Sequence, residues 1–180
     1  MIRQAFAVLL AVVLWTGAAL GADENFYRTA KVGQWTEYAN ASESMGTKMT
    51  TKTKTTLTAI DDKSYTIKIE TEINGKALPA QEIKSTFEAV DKQMAALKRE
   101  KLEEGDETIT AGGKSYKCHW TKFKIVVDNP QAKTESVTKA WVSTDVPLGG
   151  VVKSESESTT KMNGQEFKGK ATQELTGSGS

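Results

Sequence analysis

Met49-Thr50-Thr51-Lys52-Thr53-Lys54-Thr55-Thr56-Leu57-Thr58-Ala59 is followed, after Asp61-Asp62-Lys63, by Tyr65-Thr66-Ile67-Lys68-Ile69-Glu70-Thr71-Glu72-Ile73. In the second run Tyr65, Ile67, Ile69, Thr71 and Ile73 alternate with Thr66, Lys68, Glu70 and Glu72. A period of two puts the apolar set on one side of an extended chain and the charges on the other, which a helix cannot do. The first run alternates in the same way, and its threonines are β-branched residues that fit a pleated, half-wet surface. Asp61-Asp62-Lys63 supplies a turn, and Asn74-Gly75 a two-residue hairpin, since both residues tolerate positive φ. Two strands joined by a tight turn must be antiparallel.

Outward from this pair the pattern repeats. Gly33 opens a strand over Gln34–Ala41 with Trp35 and Tyr38, and Pro79 breaks the strand expected over Lys76–Ile83. From Ser85 to Glu104 the period changes: Phe87, Val90, Met94, Leu97 and Leu102 recur at helical spacing. This predicts one amphipathic helix, capped by Ser85 or Thr86 and stopped by Gly105. Gly112-Gly113 marks a second hairpin and Asn163-Gly164 a third, while Val146-Pro147-Leu148-Gly149-Gly150 reads as a corner. Tyr116, Cys118 and Trp120 have the opposite parity to Phe123, Ile125 and Val127, so a bulge near Thr121-Lys122 is expected if both sets are buried. The fold class is therefore mainly β with one substantial helix (α+β). The expected architecture is a curved antiparallel sheet of about eight strands, half-barrel-like, with the helix packed on the concave face.

The first residues have a different character. Arg3 is followed by the apolar run Ala5–Trp15 and then by Thr16, Gly17 and the small-residue stretch Ala18-Ala19-Leu20-Gly21-Ala22. This order is that of a cleaved signal peptide over residues 1–22, and the Thr16-Gly17 pair argues against an uncleaved anchor. Residues 23–32 read as a lead-in, with Phe26 and Tyr27 available to tuck under the first strand. Residues 33–176 form a single β-rich domain, and 177–180 (Gly-Ser-Gly-Ser) a flexible tail. The expected location is periplasmic or secreted. No cysteine stands at the cleavage point to carry a lipid, and the mature chain has no second apolar run able to span a membrane.

Composition excludes several functions. The chain has 24 Lys+Arg against 23 Asp+Glu, and losing Arg3 with the leader equalises them. An even balance gives no field to steer nucleic acid, so the lysines at 48, 52 and 54 and at 114, 117, 122 and 124 read as solvated strand faces. Cys118 is the single cysteine, which excludes an internal disulfide and makes a buried packing role the expectation. His119, the single histidine, points to the opposite side of its strand from Cys118. No metal, cofactor or catalytic residue is expected. Glu155 and Glu157 share an outer face with solvent, Asp61-Asp62 is turn chemistry, and Gly112-Gly113-Lys114-Ser115 lacks the upstream glycine of a phosphate loop. Asn40-Ala41-Ser42 is a glycosylation sequon, meaningful only in a eukaryotic secretory host.

One segment carries a resemblance. Trp141-Val142-Ser143-Thr144-Asp145-Val146-Pro147-Leu148-Gly149-Gly150-Val151-Val152-Lys153-Ser154-Glu155 resembles segments of bacterial secreted proteins and the corresponding strands of the outer-membrane lipoprotein carrier superfamily. That resemblance implies an unclosed antiparallel barrel with helical cover that binds acyl chains inside. With the apolar residues spread along the chain, it yields the leading expectation of a non-enzymatic exported domain binding or carrying an apolar, lipid-like ligand. The candidate lining is Trp35, Tyr65, Ile67, Ile69, Phe87, Met94, Trp120 and Trp141. The alternative is an extracytoplasmic protein-interaction or scaffold domain with a filled core and no ligand, its partner another envelope or extracellular protein; an unrecognised hydrolase ranks last.

Overall fold

The computed structural model describes residues 26–44, 46–129 and 132–180. The leader expected over residues 1–22 lies outside them. A 3-10 turn, Phe26–Thr29, precedes β1 (Trp35–Ser44), β2 (Thr47–Ile60), β3 (Ser64–Ile73), β4 (Lys76–Ala77) and β5 (Gln81–Thr86). Helix α1 (Phe87–Ala96) follows, then β6 (Arg99–Ala111), β7 (Lys114–Asn129), β8 (Ala132–Val142), β9 (Val151–Met162) and β10 (Gln165–Gly179). All ten strands join one open antiparallel sheet in the order β4-β3-β2-β1-β10-β9-β8-β7-β6, with β5 pairing β3 beyond β4. β1 to β4 and β6 to β10 are each successive hairpin neighbours, β5 returns to β3, and β10 closes back on β1.

The turn chemistry works as its residues require. Asn74 and Asn163 have φ of 48° and 52° ahead of Gly75 and Gly164, the positive-φ pair of a two-residue hairpin. Asp61 takes hydrogen bonds from the Lys63 and Ser64 amides at 2.8 and 2.7 Å, which fixes the β2–β3 turn. Pro79 falls in the gap between β4 and β5. At the corner, Gly150 has φ +70°, and a Cβ there would lie 2.8 Å from the Ser143 carbonyl oxygen.

Three sequence expectations are corrected. The helix ends at Ala96, and Arg99–Glu104 belongs to β6. Thr86 does cap it, accepting from the Ala89 amide at 3.2 Å. The run after Leu97, rich in Lys, Arg and Glu, favours helix locally. β6 nevertheless pairs with β7 from Arg99–Ile125 to Ala111–Lys114, and that long ladder outweighs the local preference. This raises the strand number to ten. The bulge falls at Leu102 in β6, not at Thr121-Lys122. The β7–β8 register runs unbroken from His119–Val142 to Asn129–Ala132, so Cys118 and Phe123 are buried on opposite sides of the sheet. Finally, Gly177-Ser178-Gly179 is part of β10. It pairs with Glu37, Thr36 and Trp35, and the Trp35 indole lies flat over the two glycines.

The interior has three clusters. Leu57, Tyr65 and Phe87 form one, joined by Tyr27, Val90, Ile67 and Leu148. The Tyr27 and Tyr65 rings stack at 4.1 Å, which places the lead-in against β3. A second gathers Tyr38, Ala111, Tyr116, Cys118, Trp141, Val146, Val151, Val152 and Leu175; the third holds Phe123, Ile125 and Ala140. Among the described residues, no helix is long and apolar enough to cross a membrane.

Candidate functional site

Paired residues in neighbouring strands share a face, so the register sorts every strand residue to one side of the sheet. One line across it reads Glu72, Lys52, Ala39, Glu174, Lys153, Trp141, Trp120, Gly105. The adjoining line on the other side reads Ile73, Thr51, Asn40, Gln173, Ser154, Ala140, Thr121, Glu104. The first side carries the lysines and glutamates. On the second, the six adjacent strands β3, β2, β1, β10, β9 and β8 present no Lys, Arg, Asp or Glu among the described residues. Their side chains there are Ser, Thr, Asn and Gln with Ile, Leu, Val, Ala and aromatic residues.

The two sides differ in exposure as well as charge. Lys48, Lys52, Glu155, Glu157, Lys168, Lys170 and Glu174 are exposed on the charged side, and even its small residues Ala39 and Ala41 are open to solvent. On the uncharged side Thr51, Gln173 and Ser154 are buried. Ser42, Thr53, Thr55, Thr71, Thr138, Ser156 and Ser158 are half-buried.

Hydroxyl pairing on the uncharged side is local. Thr138 donates to Ser156 Oγ at 3.0 Å, and the Thr134 and Thr160 hydroxyls pair at 3.0 Å. The Thr51 and Thr53 hydroxyls, on β2, are buried without a hydrogen-bond partner. Beside them on β3 and β2, Ile67, Ile69, Ile73 and Met49 are only half-buried. This strip ends at α1, where Phe87 meets Tyr65 with ring centroids 5.5 Å apart.

The charged side is a lattice of cross-strand pairs. Lys170 and Glu157 meet at 2.8 Å, Lys124 and Glu135 at 2.9 Å, Lys52 and Glu37 at 3.1 Å. Lysine hydrogen bonds hold the Glu157, Glu135 and Glu70 carboxyls below the ordinary glutamate range. Trp35, Trp120 and Trp141 belong to this side. Lys139 sits 4.0 Å from the Trp120 ring centroid and 4.4 Å from that of Trp141, and Lys54 lies 4.4 Å over Trp35. Trp141 Nε1 donates to Glu107 at 2.8 Å. Trp120 lies over Gly105, where a Cβ would be 2.9 Å from the indole; the expected helix stop is the seat of a ring. An open depression of about 400 Å³ on this side has Ala39 and Ala41 as its floor and Lys52, Glu72 and Glu174 at its rim. It exists because two short side chains stand among long ones.

The eight predicted lining residues are therefore divided. Tyr65, Ile67 and Phe87 come together, with Ile69 next along the same strand face. Trp35, Trp120 and Trp141 lie through the sheet, under lysines. Met94 accepts a hydrogen bond from Arg99 at 3.3 Å. The residues that sequence reasoning missed are Thr51, Thr53, Asn40, Gln173 and Ser154, whose signal was the confinement of charge to one parity within β1, β2, β3, β8, β9 and β10.

Cys118 is buried, and burial pushes its thiol pKa up. Tyr38 donates to the Val151 carbonyl at 3.1 Å; burial raises its pKa and that of Tyr27. His119 is exposed, with Nδ1 3.0 Å from Asp106 and Nε2 3.5 Å from Glu104. No group of three or more His, Cys, Asp or Glu among the described residues is placed to hold a metal ion.

No family model matches the chain, and no curated protein matches it. Three solved structures are similar in fold. One is from Bacteroides fragilis and is described as an exported protein with a YmcC-like fold. It is 9% identical, with a TM-score of 0.45 over 84% of this chain and 97% of that one. A protein described as a lipoprotein, from Parabacteroides distasonis, is 11% identical with a TM-score of 0.48, covering 88% of this chain and 100% of that one. The S-type phycobiliprotein lyase of Guillardia theta is 12% identical with a TM-score of 0.38, covering 88% and 93%. At these identities none of the three assigns a ligand or an activity to the chain.

Proposed function

We propose that this chain is a non-enzymatic exported domain that binds or carries a lipid-like ligand on the uncharged side of its sheet, with the sheet serving as a half-barrel and α1 covering its apolar corner. The observation that supports this most is the strip Met49, Ile67, Ile69 and Ile73, half-buried along β2 and β3 on the side of those strands that carries no Lys, Arg, Asp or Glu. Aliphatic surface next to a packed cluster gains from any apolar chain laid on it, at about 25 cal/mol per Å² covered. The outer-membrane lipoprotein carriers, which the Trp141–Glu155 segment resembles, give acyl chains a seat of this kind. Native mass spectrometry of protein purified from its own host should find a bound amphiphile. An uncharged fluorescent acyl probe should bind, and Ile69→Asp should abolish that binding. A protein that arrives empty and ignores the probe would overturn the reading.

A second reading, an exported protein-interaction domain with a filled core, is favoured by one feature. β6 pairs only with β7, so the thirteen-residue strand Arg99–Ala111 leaves its outer edge free for another strand. Loss of partner binding on Thr108→Pro, with the core intact, would separate it from the first.

A further inference from the structure

We propose that the ligand is an uncharged amphiphile, one whose polar end is a hydroxyl, ester or amide group and not a carboxylate, phosphate or ammonium. This rests on the binding reading above and narrows it. The line Ile73, Thr51, Asn40, Gln173, Ser154, Ala140 crosses six strands without an ionisable side chain. The charges that border it are Lys117 and His119 on β7, Arg99, Lys101, Glu104 and Asp106 on β6, and Arg28, which lies 4.5 Å over the Phe87 ring at the α1 corner and is paired with Asp91. A charged head group set down in the middle of this surface would lose its water and find no counter-ion, a cost that neutral hydroxyl or carbonyl groups avoid.

The surface also holds unused hydrogen-bonding capacity. Thr51 is only 6% exposed, and its hydroxyl and that of Thr53 have no partner. A buried hydroxyl left unpaired is destabilising, and rotation about χ1 carries a threonine hydroxyl from one staggered well to another. The hydroxyl of the half-buried Thr53 is the one that such a rotation can offer to a polar head group whose alkyl chain lies along Ile69 and Ile73, which pair with Thr55 and Thr51. Alkyl glycosides and monoacylglycerols share this chemistry.

Isothermal titration with three ten-carbon probes below their micelle concentrations tests the proposal: decyl maltoside, decanoate and decyltrimethylammonium. The maltoside should bind at least about tenfold more tightly than either charged probe. Monodecanoylglycerol in place of the maltoside then shows whether an ester head serves as well as a sugar. The double variant Thr51→Val/Thr53→Val keeps the shape and removes both hydroxyls, so it should weaken maltoside binding about fivefold while the melting temperature holds or rises. Unchanged maltoside affinity in that variant would remove the threonines from the site. Decanoate or the ammonium binding as tightly as the maltoside would overturn the neutral head group but leave a lipid-binding domain. Failure of all the probes would instead sink the binding reading itself.

Discussion

Glu72, Lys52, Ala39, Glu174, Lys153 and Trp141 cross six strands on one side of the sheet; Ile73, Thr51, Asn40, Gln173, Ser154 and Ala140 cross the same six on the other. The backbone ladder is common to both, so the difference is one of side-chain chemistry alone. On the charged side long cations find local partners: Lys170 pairs with Glu157, and Lys139 lies against two indoles. These contacts are solvated and individually weak, and the lysine stems cover part of the indole rings. The uncharged side has no such protection. Thr51, Gln173 and Ser154 at its centre are buried, and the hydroxyls and aliphatics around them are half-buried, so the pleated sheet separates charged from uncharged chemistry at a spacing of one residue.

The contrast can be broken most severely by moving a charge across. Ser154→Lys puts an ammonium among Gln173, Ala140 and the buried core, and should lose about 3 kcal/mol in urea unfolding. An unchanged midpoint would mean that this side is far more open than its burial implies. Leu57→Ala removes a fully buried side chain from the cluster under α1 and should cost about 3 kcal/mol by the same measurement. Thr86→Ala, which removes the α1 cap, should cost about 1 kcal/mol and reduce helical signal in circular dichroism.

The smallest effects belong to the charged side. Glu157→Gln and Lys170→Ala, at exposed positions, should leave the unfolding midpoint within error. Together the lysine-paired glutamates should still show in the pH profile. Their carboxyl pKa values are lower folded than unfolded, so the stability they add is present above the unfolded value and is lost as pH falls through the folded one. The decline should begin as pH drops toward the ordinary glutamate value of 4.5 and continue below it. It should flatten in 1 M salt, which screens exposed pairs. A decline that ignores salt would place the acid-sensitive groups elsewhere.

Much of this architecture is legible in the sequence because its signals are local. The alternation over Tyr65–Ile73, the Asn-Gly and Gly-Gly turns, the break at Pro79 and the corner at Val146–Gly150 each act within a few residues. What stays hidden depends on partners distant in sequence. Arg99–Glu104 becomes strand only because Thr121–Ile125 lies beside it, and Gly177–Gly179 is ordered only because Trp35 covers it. The site divides in the same way. Hydrophobicity picks out Tyr65, Ile67 and Phe87 correctly as neighbours, but it also selects three tryptophans whose rings are stabilised by lysines on the far side. Parity of charge, not hydrophobicity, marks the uncharged surface.

The position of β10 has a consequence for how the molecule assembles. Strands β1 to β5 form one continuous meander and β6 to β9 another, and β10 is the only strand that pairs with both. Trp35 must wait for Gly179, near the other end of the chain, before the two halves are stitched together. Contacts so distant in sequence make for slow, late closure. β10 is therefore the seam of the fold, and until it pairs the chain consists of two incomplete sheets with open edges.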